Sequence, residues 1–360
     1  MATPRCQWTP EDSRAWYAQR PWLVGCNYIP ATAVNQLEMW QTQTFDLPTI
    51  DRELGWAAGL GFNAARVFLH NLLWEGDSAG LTYKIDRFLA VAHRHGISVL
   101  FVLFDGVWGP FPALGTQQPP RPHVHNSGWV QSPGTEVLLD QARLDDLEGY
   151  VKGVIGQFRD DARILAWDLF NEPDNPNIGT YADREPPDKP ARAASLLARA
   201  FHWARAAGPS QPITAGVWRG AVRGKEVSEI NKLMLGESDI LSFHSYRTTE
   251  HVAARIQDLQ SHGRPILLTE YLARGSGSTF ETILPLLMNH KIGAFNWGLV
   301  SGKTQTIYPW DSWVKTYSAE PDPWFHDILR PDGTPYRQEE VAFLQRLTTD
   351  AESGPHQHQS

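Results

Sequence analysis

Residues 84–105 read KIDRFLAVAHRHGISVLFVLFD. The first part, 84–96, has the apolar spacing of an amphipathic helix, and it ends on basic residues and a glycine, as a helix C-terminus should. The second part, ISVLFVLFD (97–105), is apolar almost throughout. That suits a strand covered on both faces rather than one with a wet side. A helix leading straight into a doubly covered strand is half of a βαβ unit, so the next question is whether the unit repeats.

It does. LVGCNYI (23–29) and FNAARVFL (62–69) are earlier strands, with DRELGWAAGLG (51–61) between them as a helix stopped by Gly61. After an irregular stretch, 106–135, the pattern predicts a helix over 137–159, a strand ILAWDLFN (164–171) and a helix over 190–207. PITAGVW (212–218), a short helix near 226–234, ILSFHSYR (240–247) and a helix over 249–262 follow. PILLTEYL (265–272), a helix over 279–290 and GAFNWGLV (293–300) complete the series. A second irregular segment, 301–335, precedes a last helix near 337–348.

Strict alternation means right-handed crossovers and a parallel sheet. Eight strands predict a closed (β/α)8 TIM barrel with long loops after strands 3 and 8, and such barrels commonly reach this length as one domain. One domain over 1–350 with a disordered tail at 351–360 is the expectation. The open, nucleotide-binding alternative lacks a G-x-G-x-x-G after the first strand and a G-x-x-x-x-G-K-[ST] anywhere.

Composition narrows the function. Net charge is −8, from 32 basic and 40 acidic residues. That balance disfavours nucleic acid or an anionic membrane as partner, since either calls for a basic field. Two cysteines in 360 residues cannot make a disulfide framework. Cys6 and Cys26 are free to pair with each other, though Cys26 lies in an apolar strand and suits a core position. The first 22 residues lack the apolar run of a signal peptide and no apolar run is long enough to cross a membrane, which predicts a cytoplasmic protein. A secreted or periplasmic one whose leader was removed would leave the same sequence. Oligomeric state is not legible. The 15 tryptophans are the compositional outlier; indole rings outside a core are flat platforms suited to stacking on sugars, or else pack loops onto the body.

In a barrel of this kind the active site lies at the carboxyl ends of the strands. The polar residues gather there: Asn27, Arg66, His70, Asp105, Asn171-Glu172, Trp218, His244, Tyr246, Glu270 and Trp297. A guanidinium within an apolar strand needs a carboxylate, and Glu172 and Glu270 are the evident candidates for Arg66. Asp168 faces either the barrel or the helix layer and suits a buried cation or amide. Glutamates ending strands 4 and 7 would face each other across the mouth, which is the arrangement glycoside hydrolysis uses. Burial favours a protonated Glu172 as acid/base, and a nearby Arg66 and Tyr246 favour an ionised Glu270 as nucleophile.

WDLFNEP (167–173) and ILLTEY (266–271), together with Arg66, His244-x-Tyr246 and Trp297, resemble the motifs of clan A glycoside hydrolases, and within them family 5, the cellulase-like group. The resemblance implies a retaining β-glycoside hydrolase acting on gluco-, manno- or xylo-configured substrates without a cofactor. It also implies that Asn171 binds the sugar 2-hydroxyl, that His244 and Tyr246 line the −1 subsite with Tyr246 bonding the nucleophile, and that Trp297 is the −1 platform. Members often carry a histidine near the end of strand 3. Here that strand closes on Phe104-Asp105, and His70, His123 or His125 would have to fill comparable space. The segment after 301 also resembles bacterial proteins labelled 1,4-β-xylanase.

His93-x-His95 and His123-x-His125 lack a third ligand at metal-site spacing, so no metal is expected. Trp108, Trp129, Trp310, Trp313 and Trp324 lie in the two long loops, which would wall the site and favour exo-action or a short substrate. Two rival functions use the same residues: a non-catalytic carbohydrate-binding barrel and a transglycosylase.

Overall fold

The computed structural model describes residues 5–353. Its strands are β1 (Val24–Asn27), β2 (Ala64–Phe68), β3 (Ser98–Asp105), β4 (Ile164–Asn171), β5 (Ile213–Thr214), β6 (Leu241–His244), β7 (Ile266–Tyr271) and β8 (Gly293–Trp297). They form one parallel sheet in the order β5-β4-β3-β2-β1-β8-β7-β6. The ends of that order meet through a single bridge, Val217 to Phe243. There Val217 N donates to Ser242 O at 3.0 Å and His244 N donates to Val217 O at 3.1 Å. With helices between the strands, this is a (β/α)8 TIM barrel.

Period-two alternation along each strand divides the apolar residues into two cores. In β2, Ala65 and Val67 join the layer between barrel and helices, with Phe88 and Leu89 from the helix that opened the sequence analysis. Ala64 and Phe68 face the barrel axis with Leu100, Val102, Ala166, Leu267 and Phe295. Phe88 and Leu89 are fully buried, each worth roughly 1.5–3 kcal/mol in removed apolar surface. Arg66 shares the inward face of β2 between Ala64 and Phe68, and it is fully buried too.

The elements differ from the sequence expectation mainly at their ends. The helix expected from residue 84 begins at Asn71 and kinks at Asp77, where φ is −159°. The helix expected over 51–61 spans Leu47–Gly59, with Asp46 accepting from Thr49 N at 3.1 Å as its cap. A helix over Pro10–Ala18, closed by a Thr9/Asp12 capping box, was not anticipated, because its nine residues show no apolar stripe. β6 stops at His244, three residues short of the expected run. The last helix continues to Ser353, so the expected tail loses its first residues to helix and 354–360 lie outside the described residues. Cys6 is exposed and Cys26 is buried in β1, and both are free thiols.

Candidate active site

Glu172 follows β4 directly and takes a left-handed backbone, φ +41°. The turn brings its carbonyl against Gly106, just past β3, where a Cβ would stand 2.4 Å from that oxygen. Only glycine allows so close an approach. Glu270 lies one residue from the end of β7. His244, last in β6, stands between the two: its Nδ1 is 2.8 Å from Glu172 Oε1 and 3.5 Å from Glu270 Oε2. Among the described residues these three are also the one group able to offer ligands to a metal, with donor atoms all within 4.8 Å of one another. The Nδ1–Oε1 contact has the length of an ordinary hydrogen bond.

Arg66 holds this arrangement from below. Its Nε and Nη2 donate to Asp168 Oδ2 at 3.0 and 2.8 Å, and its Nη1 donates to Glu270 Oε1 at 2.9 Å and Asn27 Oδ1 at 2.8 Å. Nη2 also donates to Asn171 Oδ1 at 2.8 Å. Asp168 therefore faces the barrel, and the two acids bound to the guanidinium are Asp168 and Glu270. Glu172, one of the two expected partners, is not bonded to it, because the left-handed turn carries its side chain toward β6 instead.

Burial raises the pKa of Glu172 from its usual range to about 7, partly offset by the Asn175 amide, which donates to Oε2 at 2.6 Å. Burial also raises Glu270 and Glu172 adds to the rise, while His244, Arg66 and the Tyr246 hydroxyl, 2.7 Å from Oε2, oppose it. Two carboxyls this close hold one charge between them. The guanidinium and phenol donors assign that charge to Glu270 and leave the proton on Glu172. Burial lowers His244 to about 4, so it is a neutral ring that shares a hydrogen bond with Glu172 through Nδ1.

Above the two acids opens a cavity of about 500 Å³, within the usual range for a small-ligand site. Asp105, Asn171, Glu172, Tyr246, Glu270 and Trp297 line it, with Trp108, Trp129, Trp218, Trp310 and Trp313 among its walls. Trp129, Trp297 and Phe68 form an edge-to-face cluster with centroids 5.2–5.9 Å apart. Trp218 is fixed by its Nε1, which donates to Asp174 at 2.7 Å, and by Arg219 over its ring. Asp105, pushed up to about 7 by burial, accepts from Trp129 Nε1 at 2.7 Å and from Asn171 Nδ2 at 3.0 Å.

Four expected residues do not line the cavity. Arg66 and His244, the latter expected to line the −1 subsite, lie behind the acids they bond, and His70 and Trp324 are engaged elsewhere. His70 is fully buried behind the cavity, accepting from Leu72 N at 3.1 Å through Nδ1 and bonded to Gln131 O at 2.9 Å through Nε2. It caps the helix that follows β2, the common use of a polar residue at a strand-to-helix exit. Trp324 is 1% exposed and stacks on Tyr336 at 4.4 Å, so it holds the second long loop together rather than facing a ligand. Of the histidines considered for the space beyond strand 3, His125 lines the cavity and His123 does not.

Other cavity residues were missed: Asn126, Asn175, Asn177 and His326. The ring of His326 is buried in the wall, and its Nε2 has no partner among the described residues. Asn175 had a visible signal, since NEPDNPN continues the motif that ends strand 4. Asn126 and His326 had none, because they come from mid-loop positions that no strand-end rule locates.

Facing carboxylates over an aromatic-walled pocket, at the strand ends of a (β/α)8 barrel, define a glycoside hydrolase. The cellulase model, glycosyl hydrolase family 5, matches residues 123–302, half of the chain. The chain belongs to glycosyl hydrolase family 5 and is an O-glycosyl hydrolase acting on carbohydrate. No curated protein matches it.

Solved structures match in fold. The GH5_18 protein of Streptomyces cattleya in complex with Manβ1-4GlcNAc is 14% identical, with TM-score 0.59, over 94% of this chain and 82% of that one. The endo-β-1,4-mannanase of Thermotoga petrophila is 14% identical, with TM-score 0.60, over 95% and 80%. The exo-β-1,4-mannosidase Op5Man5 of an Opitutaceae bacterium is 17% identical, with TM-score 0.60, over 91% of this chain and 60% of that one.

Proposed function

We propose that this chain hydrolyses a β-linked glycoside with retention of configuration, Glu270 acting as nucleophile and Glu172 as acid/base. The observation that carries the reading is the separation of the two acids. Their nearest oxygens fall within 4.8 Å, close to the roughly 5–5.5 Å of retaining enzymes and short of the ~6.5–9.5 Å that an inverting enzyme needs for its water.

In the first step Glu270 attacks the anomeric carbon, the bond to the leaving oxygen breaks, and Glu172 gives that oxygen its proton. The product is a glycosyl ester on Glu270. In the second step Glu172, now ionised, takes a proton from water as the water attacks the same carbon, and the ester bond breaks to free Glu270. Tyr246 and Arg66 hold the nucleophile throughout. Asn171 has one amide hydrogen on Asp105 and a second left for the sugar 2-hydroxyl, and Trp297 offers the ring a stacking face.

The sugar is gluco-, manno- or xylo-configured. Two of the similar structures are mannan- or mannoside-cleaving by name, so aryl β-mannosides are the first substrates to test. Glu270→Ala should lose turnover, and with azide and an activated aryl β-glycoside it should accumulate the α-glycosyl azide. Glu172→Ala should give the β-azide. An α-azide from the Glu172 variant, or full activity in Glu270→Ala, would reverse or end the assignment.

A further inference from the structure

Catalysis between Glu172 and Glu270 puts the reacting sugar on one side of the pair and the leaving group on the other. On the side of the connections after β4 and β5, Trp218 stands as a braced platform and Ile178 is 82% exposed at the cavity edge. Toward β8, β1, β2 and β3 lie the Trp297 face and Asp105, with Asn171 at the end of β4 beside them, the groups suited to hold a ring. The scissile bond therefore points toward β5, and the far hydroxyls of the reacting sugar point toward the β8–β3 arc.

That arc is shut. The connection after β1 reaches the 106–135 loop through Asn35 Nδ2, which donates to Gly128 O at 2.8 Å, and it meets the 301–335 loop where Lys303 N donates to Ala31 O at 3.0 Å. The two long loops then join each other: Asn126 N donates to Thr304 O at 2.8 Å and Trp313 Nε1 donates to His125 O at 2.8 Å. The rings of Trp108 and Trp313 stack across the same seam at 5.5 Å and 11°. Behind Trp129 and Trp297 the remaining space is a cavity of about 10 Å³, room for about one water. A second sugar cannot fit there.

We infer that this site takes only the sugar at the non-reducing end of a β-linked chain or glycoside and releases it singly, as an exo-glycosidase. The inference rests on the hydrolase reading above. The three connections block any unit joined to the far side of the reacting ring, and the reducing side is left to the rim by Trp218 and Ile178.

The test uses reducing-end-labelled β-1,4-manno- and gluco-oligosaccharides, four to six units long, with and without an O-methyl cap on the 4-hydroxyl of the non-reducing sugar. The first labelled product should be one unit shorter, and capping should slow cleavage at least about 100-fold by a direct clash. Early internal products, or capped chains cut as fast as free ones, would overturn the closed end while leaving the hydrolase reading intact. No cleavage of oligosaccharides or aryl β-glycosides, with no azide adduct from Glu270→Ala, would overturn both.

Discussion

Glu172 combines a left-handed backbone with a buried carboxyl. A long side chain at positive φ costs about 1–3 kcal/mol, and strain of this kind is stored at functional sites. Glu172→Gly should therefore melt higher than the parent by about 1 kcal/mol equivalent and be inactive, read by thermal denaturation and an aryl-glycoside assay. In the proposed mechanism its proton sets the alkaline side of the pH profile. With a pKa of about 7, the acid form is present below that value and lost as pH rises through it, so kcat/KM should fall above pH 7. In Glu172→Ala, assayed with azide and an activated leaving group, that limb should vanish.

Arg66 is a positioning residue with two dependants. Arg66→Met leaves Asp168 and Glu270 buried without their cation, a loss on the order of 3–5 kcal/mol. It should also raise the pKa of Glu270 and move the acid limb of the profile to higher pH, which a purely structural role would not do. The need of Arg66 for a carboxylate was legible in its apolar strand, and so were the two catalytic candidates. Its partnership with Asp168 was not, because nothing local says which way residue 168 faces. That depends on the register of β4 against β3, and that register shifts near Val99 and Leu100.

Among the elements, all eight strands were legible, but the long apolar ones had their bounds read closely and the short ones did not. β3 has eight residues and doubly covered faces, whereas β5 has two and meets β6 through one bridge. Short strands carry little periodicity, so their ends are set by neighbours the sequence does not name. The seam should also be the least protected part of the sheet. In native-state hydrogen exchange, the amides of Val217 and His244 should exchange well before those of Phe101 to Phe104, and equal protection would contradict a weak closure. The loop joints were equally hidden, since hydrogen bonds between mid-loop residues far apart in sequence have no local signature. Only the presence of two long, tryptophan-rich loops on the catalytic side could be foreseen.

At the scale of the molecule, two buried carboxyls, Glu53 and Asp327, have no ion-pair partner among the described residues. Glu53, raised to about 7 mainly by burial, bonds to the Tyr28 hydroxyl at 3.0 Å, and Asp327 is raised to about 6 for the same reason. A folded-state pKa above the unfolded one means that the native form holds more protons in between, so stability falls as pH rises through that window. Buried His70, His125 and His244, lowered to about 3–4, act in the opposite sense below the unfolded histidine value. The melting temperature should therefore decline from about pH 6.5 to pH 8, where only the acids still titrate. Glu53→Gln should remove a fall on the order of 3 kcal/mol in all, spread from pH 4.5 upward, the value of its shift from 4.5 to about 7. A parent profile that rises between about pH 6.5 and pH 8 would contradict this account of the buried acids.

The knitted wall between the β1, β3 and β8 connections has a kinetic corollary. With the back of the chamber shut, whatever enters must leave by the same doorway, and a polymer has no track along which to slide. In the proposed retaining, exo-acting mechanism the trimmed chain departs before water reaches the ester, and the freed monosaccharide comes out last. Each cut is then a separate visit, and accumulating sugar competes with fresh chain ends for the one entrance.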